Sequence, residues 1–141
     1  MITQKRLDDT VGPTDGTRLL IERLWPREVK KTSLKIWSWI KDVALSTELR
    51  QWLSHDPDKW HEFRRRYSAG LRANPDVWKQ IIDTALYETV TPIYSSYDTE
   101  HNNAVALNTF LKAHLLKKQY WNLWPARIVA TVKAKPRRAK G

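Results

Sequence analysis

Two clusters of polar side chains follow short apolar stretches of the sequence. The run Leu19-Leu20-Ile21 is followed by "ERLWPRE", and the stretch "VTPIY" is followed by "SSYDTEHNN". Ligands of open α/β sheets bind beyond the carboxyl ends of the strands, where loops converge and helix N-termini supply unpaired amides. If the two strands are neighbours, the clusters face one cleft. The residues that we predict to bind a ligand there are Glu22, Arg23, Trp25, Arg27, Tyr94, Ser95, Asp98, Asn102 and Asn103.

The first cluster contains groups that suit an anion. Arg23 and Arg27 offer planar, permanently charged guanidinium groups that match phosphate or carboxylate. Trp25 and Pro26 would make the loop rigid and present an aromatic face to a base or to an arginine. The alternative is that Glu22 and Arg23 form structural ion pairs, which are common in folded proteins.

Histidine supplies the candidate acid or base. His55 stands beside Asp56 just before a helix start, and His101 stands at the start of the last predicted helix. Imidazole exchanges a proton near neutral pH, and a neighbouring carboxylate can assist it. The catalytic candidates are therefore His55, Asp56 and His101. The alternative for His55 is a hydrogen-bonded histidine in a helix-capping segment. No ligand spacing such as His-x-x-x-His links the two histidines, and we predict neither a metal site nor a cofactor.

Several other chemistries are excluded by what the sequence lacks. The chain has 141 residues, no cysteine and four glycines. Without cysteine there is no disulfide, no thiolate nucleophile and no cysteine-ligated metal. A glycine-rich phosphate loop, a dinucleotide fingerprint and a Gly-x-Ser-x-Gly nucleophile motif are all missing. The apolar runs are only a few residues long and the N-terminus is polar, so we expect a cytoplasmic protein without membrane contact.

The positive charge of the chain is concentrated at its C-terminal end. The net charge is +10; residues 112–141 hold nine lysines or arginines and no acid, whereas residues 1–111 hold sixteen against fifteen acids. The last stretch, "KAKPRRAKG", has nothing apolar to bury. We therefore expect a basic tail that attracts nucleic acid without sequence preference. Its residues are Arg127, Lys133, Lys135, Arg137, Arg138 and Lys140.

Three segments have the character of strands. "TRLLIE" and "VTPIYS" have continuous apolar centres, which predicts strands buried on both faces. Pro92 lies within the second of them and favours an edge position or a bulge. "MITQKRL" reads as a further strand that is partly exposed.

Helix signals lie between and after these strands. We predict helix starts at Ser46, at Asp56-Pro57 and at Asn74-Pro75. Helical apolar spacing is present in "SLKIWSWIKDVA", at Trp60, Phe63, Tyr67 and Leu71, and from Ala104 to Leu115. The order of elements predicts the α/β class, with a single three-layer, Rossmann-like domain and a short, mainly parallel sheet at residues 1–119. The basic extension then occupies residues 120–141.

Three segments of the sequence carry a family resemblance. They are "DGTRLLIERLWPRE", "ELRQWLSHDPDKWHEFRRRY" and "YSSYDTEHNNAVAL". Together, in this order and spacing, they resemble the YeaO-like family of bacterial and archaeal proteins, a domain family of unknown function. The resemblance implies a compact α/β domain and no established substrate. Against the family's motifs, Glu22 replaces an aspartate, Glu28 a glycine and Tyr97 a lysine, so the resemblance implies that any activity of the family is modified here.

Three functions fit these features. The first is binding of an anionic ligand in the cleft, a nucleotide or a nucleic-acid end, helped by the basic tail. The second is an enzyme that acts on a small anionic substrate, in which His55 or His101 moves a proton. The third is a protein-interaction module, in which exposed members of the eight tryptophans dock a partner. The sequence leaves the oligomeric state open.

Overall fold

The computed structural model describes residues 1–27, 29–54 and 56–123 and contains nine regular helices and strands there. The strands are β1 (Lys5–Arg6), β2 (Thr17–Leu20), β3 (Ser38–Trp39) and β4 (Val90–Tyr94). The helices are α1 (Lys31–Leu34), α2 (Thr47–Leu53), α3 (Trp60–Ala73), α4 (Lys79–Ala85) and α5 (Asn103–Leu123). Single turns of 3₁₀ helix lie at Lys41–Val43, Pro57–Lys59 and Pro75–Val77. The predicted α/β class is confirmed.

The four strands of the described chain form one parallel sheet in the order β1-β4-β2-β3. A bridge between Ile2 and Val90 extends the first strand's pairing towards the N-terminus. The predicted parallel sheet is confirmed, and the arrangement is consistent with a Rossmann-like fold. Because β2 and β4 are neighbours, their carboxyl ends lie side by side, and this brings the two polar clusters of the sequence together.

One face of the sheet carries the main hydrophobic core. Leu19 and Val90 of the sheet belong to one buried cluster with residues of the long helices. Trp60 of the predicted stripes packs against this cluster partly buried, and the other members are buried in it: Phe63, Tyr67, Leu71, Ala104, Leu107, Leu111 and Leu115. The hydroxyl of Tyr67 donates to the Val43 carbonyl, so this buried phenol has a polar partner. The helical spacings predicted from Trp60 to Leu71 and from Ala104 to Leu115 are therefore confirmed.

The opposite face of the sheet holds a buried charge network. Arg18 points there, because side chains alternate along a strand. Its Nε donates to the Leu34 carbonyl at 3.1 Å, and its Nη1 lies 2.7 Å from Asp15 Oδ2. Asp15 also pairs with Lys5 at 2.7 Å and accepts from the Gly12 amide. Burial alone would raise the pKa of Asp15, but these donors and cations outweigh it and lower the pKa from 3.8 to about 2.

Local sequence signals determine where several elements begin. Gly16 starts β2 with φ 63°, and a Cβ at this position would lie 2.1 Å from the Thr89 carbonyl oxygen. The predicted helix starts at Ser46 and Asp56 are confirmed, since each side chain accepts a bond from a backbone amide of the following turn. Asn74 precedes the 3₁₀ turn that leads into α4, without a capping bond from its side chain.

The predicted helix in "SLKIWSWIKDVA" is wrong. Only its first residues belong to α1, which ends where Lys35 adopts the left-handed conformation at φ 49°. The following Ser38–Trp39 forms β3 and pairs with β2. The Trp37 amide donates to the Arg18 carbonyl at 2.8 Å. The free edge of β2 thus takes a backbone donor that a helix would have used internally, and tertiary pairing overrides the helical spacing.

Pro92 lies in the middle of the sheet and not at the predicted edge or bulge. β4 pairs with β1 on one side and with β2 on the other. The Val90 amide donates to the Met1 carbonyl, and the Val90 carbonyl accepts from the Thr3 amide. In this parallel ladder an amide at residue 92 would donate to the Thr3 carbonyl, but proline has no amide hydrogen. The Asn108 side chain of α5 supplies that donor at 2.6 Å. Proline is tolerated here because a side chain replaces the missing amide.

The last helix crosses the boundary predicted between the domain and the extension. α5 continues without interruption through residues 119 and 120 to Leu123. The rest of the extension, with all six basic residues predicted for the tail, lies outside the described residues. In the part of the chain that is described, no helix combines the length and the apolar character needed to cross a bilayer.

Asp15→Asn should lower the free energy of unfolding by roughly 3 kcal/mol at neutral pH, because the buried guanidinium of Arg18 loses its carboxylate. The control is the exposed pair of Lys118 and Asp83, in which Asp83→Asn should cost less than about 1 kcal/mol. Denaturant titration measures both.

Since the pKa of Asp15 is about 2 when folded and 3.8 when free, its contribution to stability is present above about pH 4 and is lost as the pH falls through about 2. A gap between wild type and Asp15→Asn that stays constant on acidification would contradict this assignment.

Candidate ligand-binding cleft

A cleft with a volume of about 560 Å³ opens at the carboxyl ends of β2 and β4. Six of the predicted site residues line it: Glu22, Ser95, Asp98, His101, Asn102 and Asn103. The other lining residues are Leu45, Arg50, Leu53, Phe63, Ser96 and Tyr97. A cavity of this size with a mixed apolar and polar lining is typical of small-molecule sites. The two polar clusters of the sequence therefore do meet at one cleft.

The carboxylate of Glu22 joins three elements at the floor of the cleft. Its Oε2 accepts from the Ser95 amide and from Asn103 Nδ2, each at 3.2 Å. Asn103 Nδ2 also donates to the Ile21 carbonyl at 3.3 Å. The residue is 6% exposed, so the end of β2, the end of β4 and the start of α5 share one buried charge. Its other oxygen, Oε1, lies 3.7 Å from Arg50 Nη2.

The loop between β4 and α5 is ordered by its own polar side chains. Asp98 Oδ1 accepts from the amides of Glu100 and His101 at 2.9 Å each, and these bonds hold the pKa of Asp98 below its usual value. Asp98 Oδ2 lies 3.2 Å from His101 Nδ1. The imidazole edge packs on the Trp60 ring, with centroids 5.1 Å apart. Asn102 caps α5 by accepting from its backbone. The His101 ring is thus oriented at the cleft wall from two sides.

Four predicted ligand-binding residues do not line the cleft: Arg23, Trp25 and Arg27, which follow β2, and Tyr94. Trp25 packs edge to face on Trp39 with ring centroids 5.5 Å apart, and its indole N–H donates to a main-chain carbonyl. Arg23 Nε donates to the Leu45 carbonyl at 3.2 Å, and Arg23 lines a neighbouring pocket. Arg27 is exposed. Among the described residues of the "ERLWPRE" segment, Glu22 alone lines the cleft, and Trp25 packs within the protein.

The remaining candidates have mixed positions. Tyr94 ends β4 inside the core, and burial raises the pKa of its phenol above the usual value. His55 lies outside the described residues. Asp56 accepts from the Asp58 amide as a helix cap and lines a small recess together with Asp98 and His101. Among the described residues, no group of three or more His, Asp or Glu is arranged to hold a metal ion.

Sequence similarity relates this chain to proteins of other organisms. A profile described as "Inactive DUF488-N3 subclade" matches residues 1–126. The chain belongs to this family. It is 36% identical over 109 residues to Uncharacterized protein YeaO of Escherichia coli K12, which covers 77% of this chain and 95% of YeaO. It is 31% identical over 106 residues to Uncharacterized protein Rv3073c of Mycobacterium tuberculosis H37Rv. This alignment covers 75% of this chain and 89% of Rv3073c. No solved structure shows a significant match.

The resemblance to the YeaO-like family is therefore confirmed, and one of its departures lies at the cleft. Tyr97, which replaces a lysine of the family motif, is 89% exposed at the rim. The guanidinium carbon of Arg6 lies 4.6 Å from the Tyr97 ring centroid, and Arg6 Nε donates to the Ser96 carbonyl at 2.9 Å. Arg6 Nη1 also pairs with Asp8, at 2.7 Å from Oδ2, so the cation beside the position of the missing lysine is already balanced by a carboxylate.

Arg50 is the most important cleft residue that was not predicted from the sequence. It lies in the middle of α2, and nothing in the local sequence distinguishes it from a solvated arginine on an amphipathic helix. Its side chain is 66% exposed while its partner Glu22 is buried. Only the packing of α2 beside the end of β2 brings the two together.

Most described tryptophans serve packing. Trp60 stacks on Phe63 with centroids 5.2 Å apart, and Trp78 packs edge to face on Phe110 at 4.9 Å. Trp52 faces the Arg66 guanidinium at 4.2 Å. Trp37 is the exception in the described part of the chain, with 72% of its surface exposed. The structure therefore gives little support to a protein-interaction module that uses several exposed tryptophans.

Proposed function

We propose that the cleft of this YeaO-like protein binds a nucleotide or the end of a nucleic acid. The observation that carries the proposal is the pairing of the buried Glu22 carboxylate with the exposed Arg50, whose Nη2 lies 3.7 Å from Oε1. One cleft thus holds a fixed acceptor for hydroxyl or amino groups and a cation for phosphate. A nucleotide carries both kinds of group.

The other walls of the cleft suit the rest of such a ligand. Leu45, Leu53 and Phe63 provide apolar surface for a base. At the rim, Tyr97 adds an exposed aromatic face, which the guanidinium of Arg6 supports from one side. The ligand class is argued from these groups alone, since the relatives are themselves described as uncharacterized.

A second candidate function is catalysis on a small anionic substrate. One observation favours it: Asp98 Oδ2 lies 3.2 Å from His101 Nδ1, which fixes the imidazole at the cleft wall. A carboxylate acceptor favours a proton on Nδ1, so Nε2 of the neutral ring is left as a base. The description of the family as inactive weighs against this candidate and supports binding without turnover.

Titration with adenosine monophosphate should shift the NMR signals of the Asn103 side-chain amide and the Trp60 indole. Arg50→Ala should weaken this binding about tenfold or more, because a charge-assisted contact to the phosphate is lost. Adenosine, which has no phosphate, should bind Arg50→Ala as well as it binds the wild type. Arg72→Ala removes an exposed arginine of α3 that does not line the cleft and is the matched control. Absence of any shift at Asn103 across a panel of ribonucleotides and deoxyribonucleotides would contradict the proposal.

The same samples separate binding from turnover. If the protein only binds, the phosphorus NMR spectrum of the nucleotide keeps the same set of resonances over days. New resonances that grow with time, and that are absent for His101→Gln, would favour the enzyme. Glu22→Gln keeps the shape of the side chain and removes its charge, so it tests whether the acceptor at the cleft floor is needed in either case.

The basic tail should add affinity for nucleic acid without selecting a sequence. Each phosphate that a lysine or arginine neutralises contributes about 0.9 to the log–log salt dependence of duplex DNA binding. Replacing the six basic residues of the tail by glutamine should flatten that dependence and leave adenosine monophosphate binding unchanged. Duplex binding by the wild-type chain that does not respond to salt would remove this role from the tail. The residues to replace are Arg127, Lys133, Lys135, Arg137, Arg138 and Lys140.

A further inference from the structure

A second pocket of about 260 Å³ lies beside the cleft. Leu45 and Arg50 line the cleft, whereas Ser46 and Leu49 of the same segment line the second pocket. The chain from residue 44 to residue 50 therefore forms a wall shared by both. The two pockets are therefore neighbours on either side of this segment.

Two arginines from distant parts of the chain line this second pocket. Arg23 comes from the segment after β2, and Arg66 comes from α3. Both guanidinium groups are anchored through Nε: that of Arg23 donates to the Leu45 carbonyl at 3.2 Å, and that of Arg66 donates to Glu62 at 2.8 Å. Within the described residues, neither arginine makes a further hydrogen bond through its terminal nitrogens. An arginine held at one edge keeps a fixed pair of donors on the other.

The remaining charges around the second pocket do not cancel these arginines. Asp42 also lines it and is the acidic group on the pocket side. Glu62 lies behind Arg66 and is paired with Arg65 as well, at 2.8 Å. The guanidinium carbon of Arg66 lies over the Trp52 ring, 4.2 Å from its centroid, and this contact restricts the position of the group. The pocket thus presents two oriented cations against one carboxylate.

We propose that the second pocket binds a backbone phosphate of a single-stranded nucleic acid whose end lies in the cleft. This inference rests on the proposed function of the cleft and extends it from a nucleotide to a chain. Proteins that bind single strands combine cations that follow the backbone with exposed aromatic rings. Arg50, Arg23 and Arg66 provide cations along both pockets, and Tyr97 provides an exposed ring at the rim of the cleft.

The test compares a mononucleotide with a 5′-phosphorylated hexanucleotide on the full-length chain at one salt concentration. The double variant Arg23→Ala/Arg66→Ala should weaken hexanucleotide binding about tenfold or more and leave mononucleotide binding unchanged. Arg64→Ala/Arg72→Ala removes the same charge from parts of α3 that line neither pocket and should match the wild type. Arg23→Lys/Arg66→Lys keeps both charges and serves as the test if the alanine double variant does not fold. It should lose part of the hexanucleotide affinity, because lysine lacks the planar guanidinium group.

Two results would overturn the inference. One is hexanucleotide affinity that is unchanged in both double variants of Arg23 and Arg66. The other is an equal loss for mononucleotide and hexanucleotide, which would place these arginines in the cleft contact itself. Failure of the proposed cleft function gives a different pattern. Glu22→Gln and Arg50→Ala would then leave the affinity for both ligands unchanged, while the substitutions of Arg23 and Arg66 would still weaken hexanucleotide binding.

Discussion

The geometry of the cleft depends on one buried carboxylate. Glu22 accepts from the backbone of Ser95 and from the side chain of Asn103, and thereby ties the ends of two neighbouring parallel strands to the start of α5. A buried carboxylate is costly unless its lone pairs are occupied. Here one oxygen is satisfied by protein donors, and the other faces Arg50 at the cleft. The same group therefore closes the sheet end and supplies polarity to the cavity above it.

This arrangement explains why the cleft has mixed charge despite the strongly basic composition of the chain. Glu22 and Asp98 lie on its floor and wall, while Arg50 and Arg6 lie at its rim. A purely basic groove would attract any polyanion, whereas acceptors and cations at fixed positions favour a ligand that carries both donors and phosphate. The excess positive charge belongs to the C-terminal segment, so general attraction and local recognition reside in different parts of the sequence.

The sequence predicted those features that have local signals. Apolar runs bounded by turn residues located β2 and β4, and polar residues just after them, Glu22 and Ser95, do line the cleft. Features that depend on a distant partner were missed. β3 exists because β2 has a free edge, and Pro92 is accepted in the sheet because Asn108 replaces its amide.

The same limit explains what the sequence could not predict about the site. Arg50 has no local mark of function and acquires one only from the position of α2. Arg23 was predicted for the cleft from its place after β2, yet its side chain turns towards Leu45 and lines the second pocket. Position along a strand predicts which end of the sheet a residue occupies. Which cavity its side chain enters is decided by packing.

Backbone hydrogen exchange at Ser95 tests most directly whether Glu22 holds the cleft together. In Glu22→Ala, the Ser95 amide should exchange about tenfold faster or more, because it loses the carboxylate that accepts its proton. The amides of Leu7 and Ile21, which donate to carbonyls of β4, should exchange as in the wild type. Unchanged exchange at Ser95 would contradict the account. Equal acceleration at all three amides would also contradict it, since Glu22 would then support the whole sheet and not the cleft in particular.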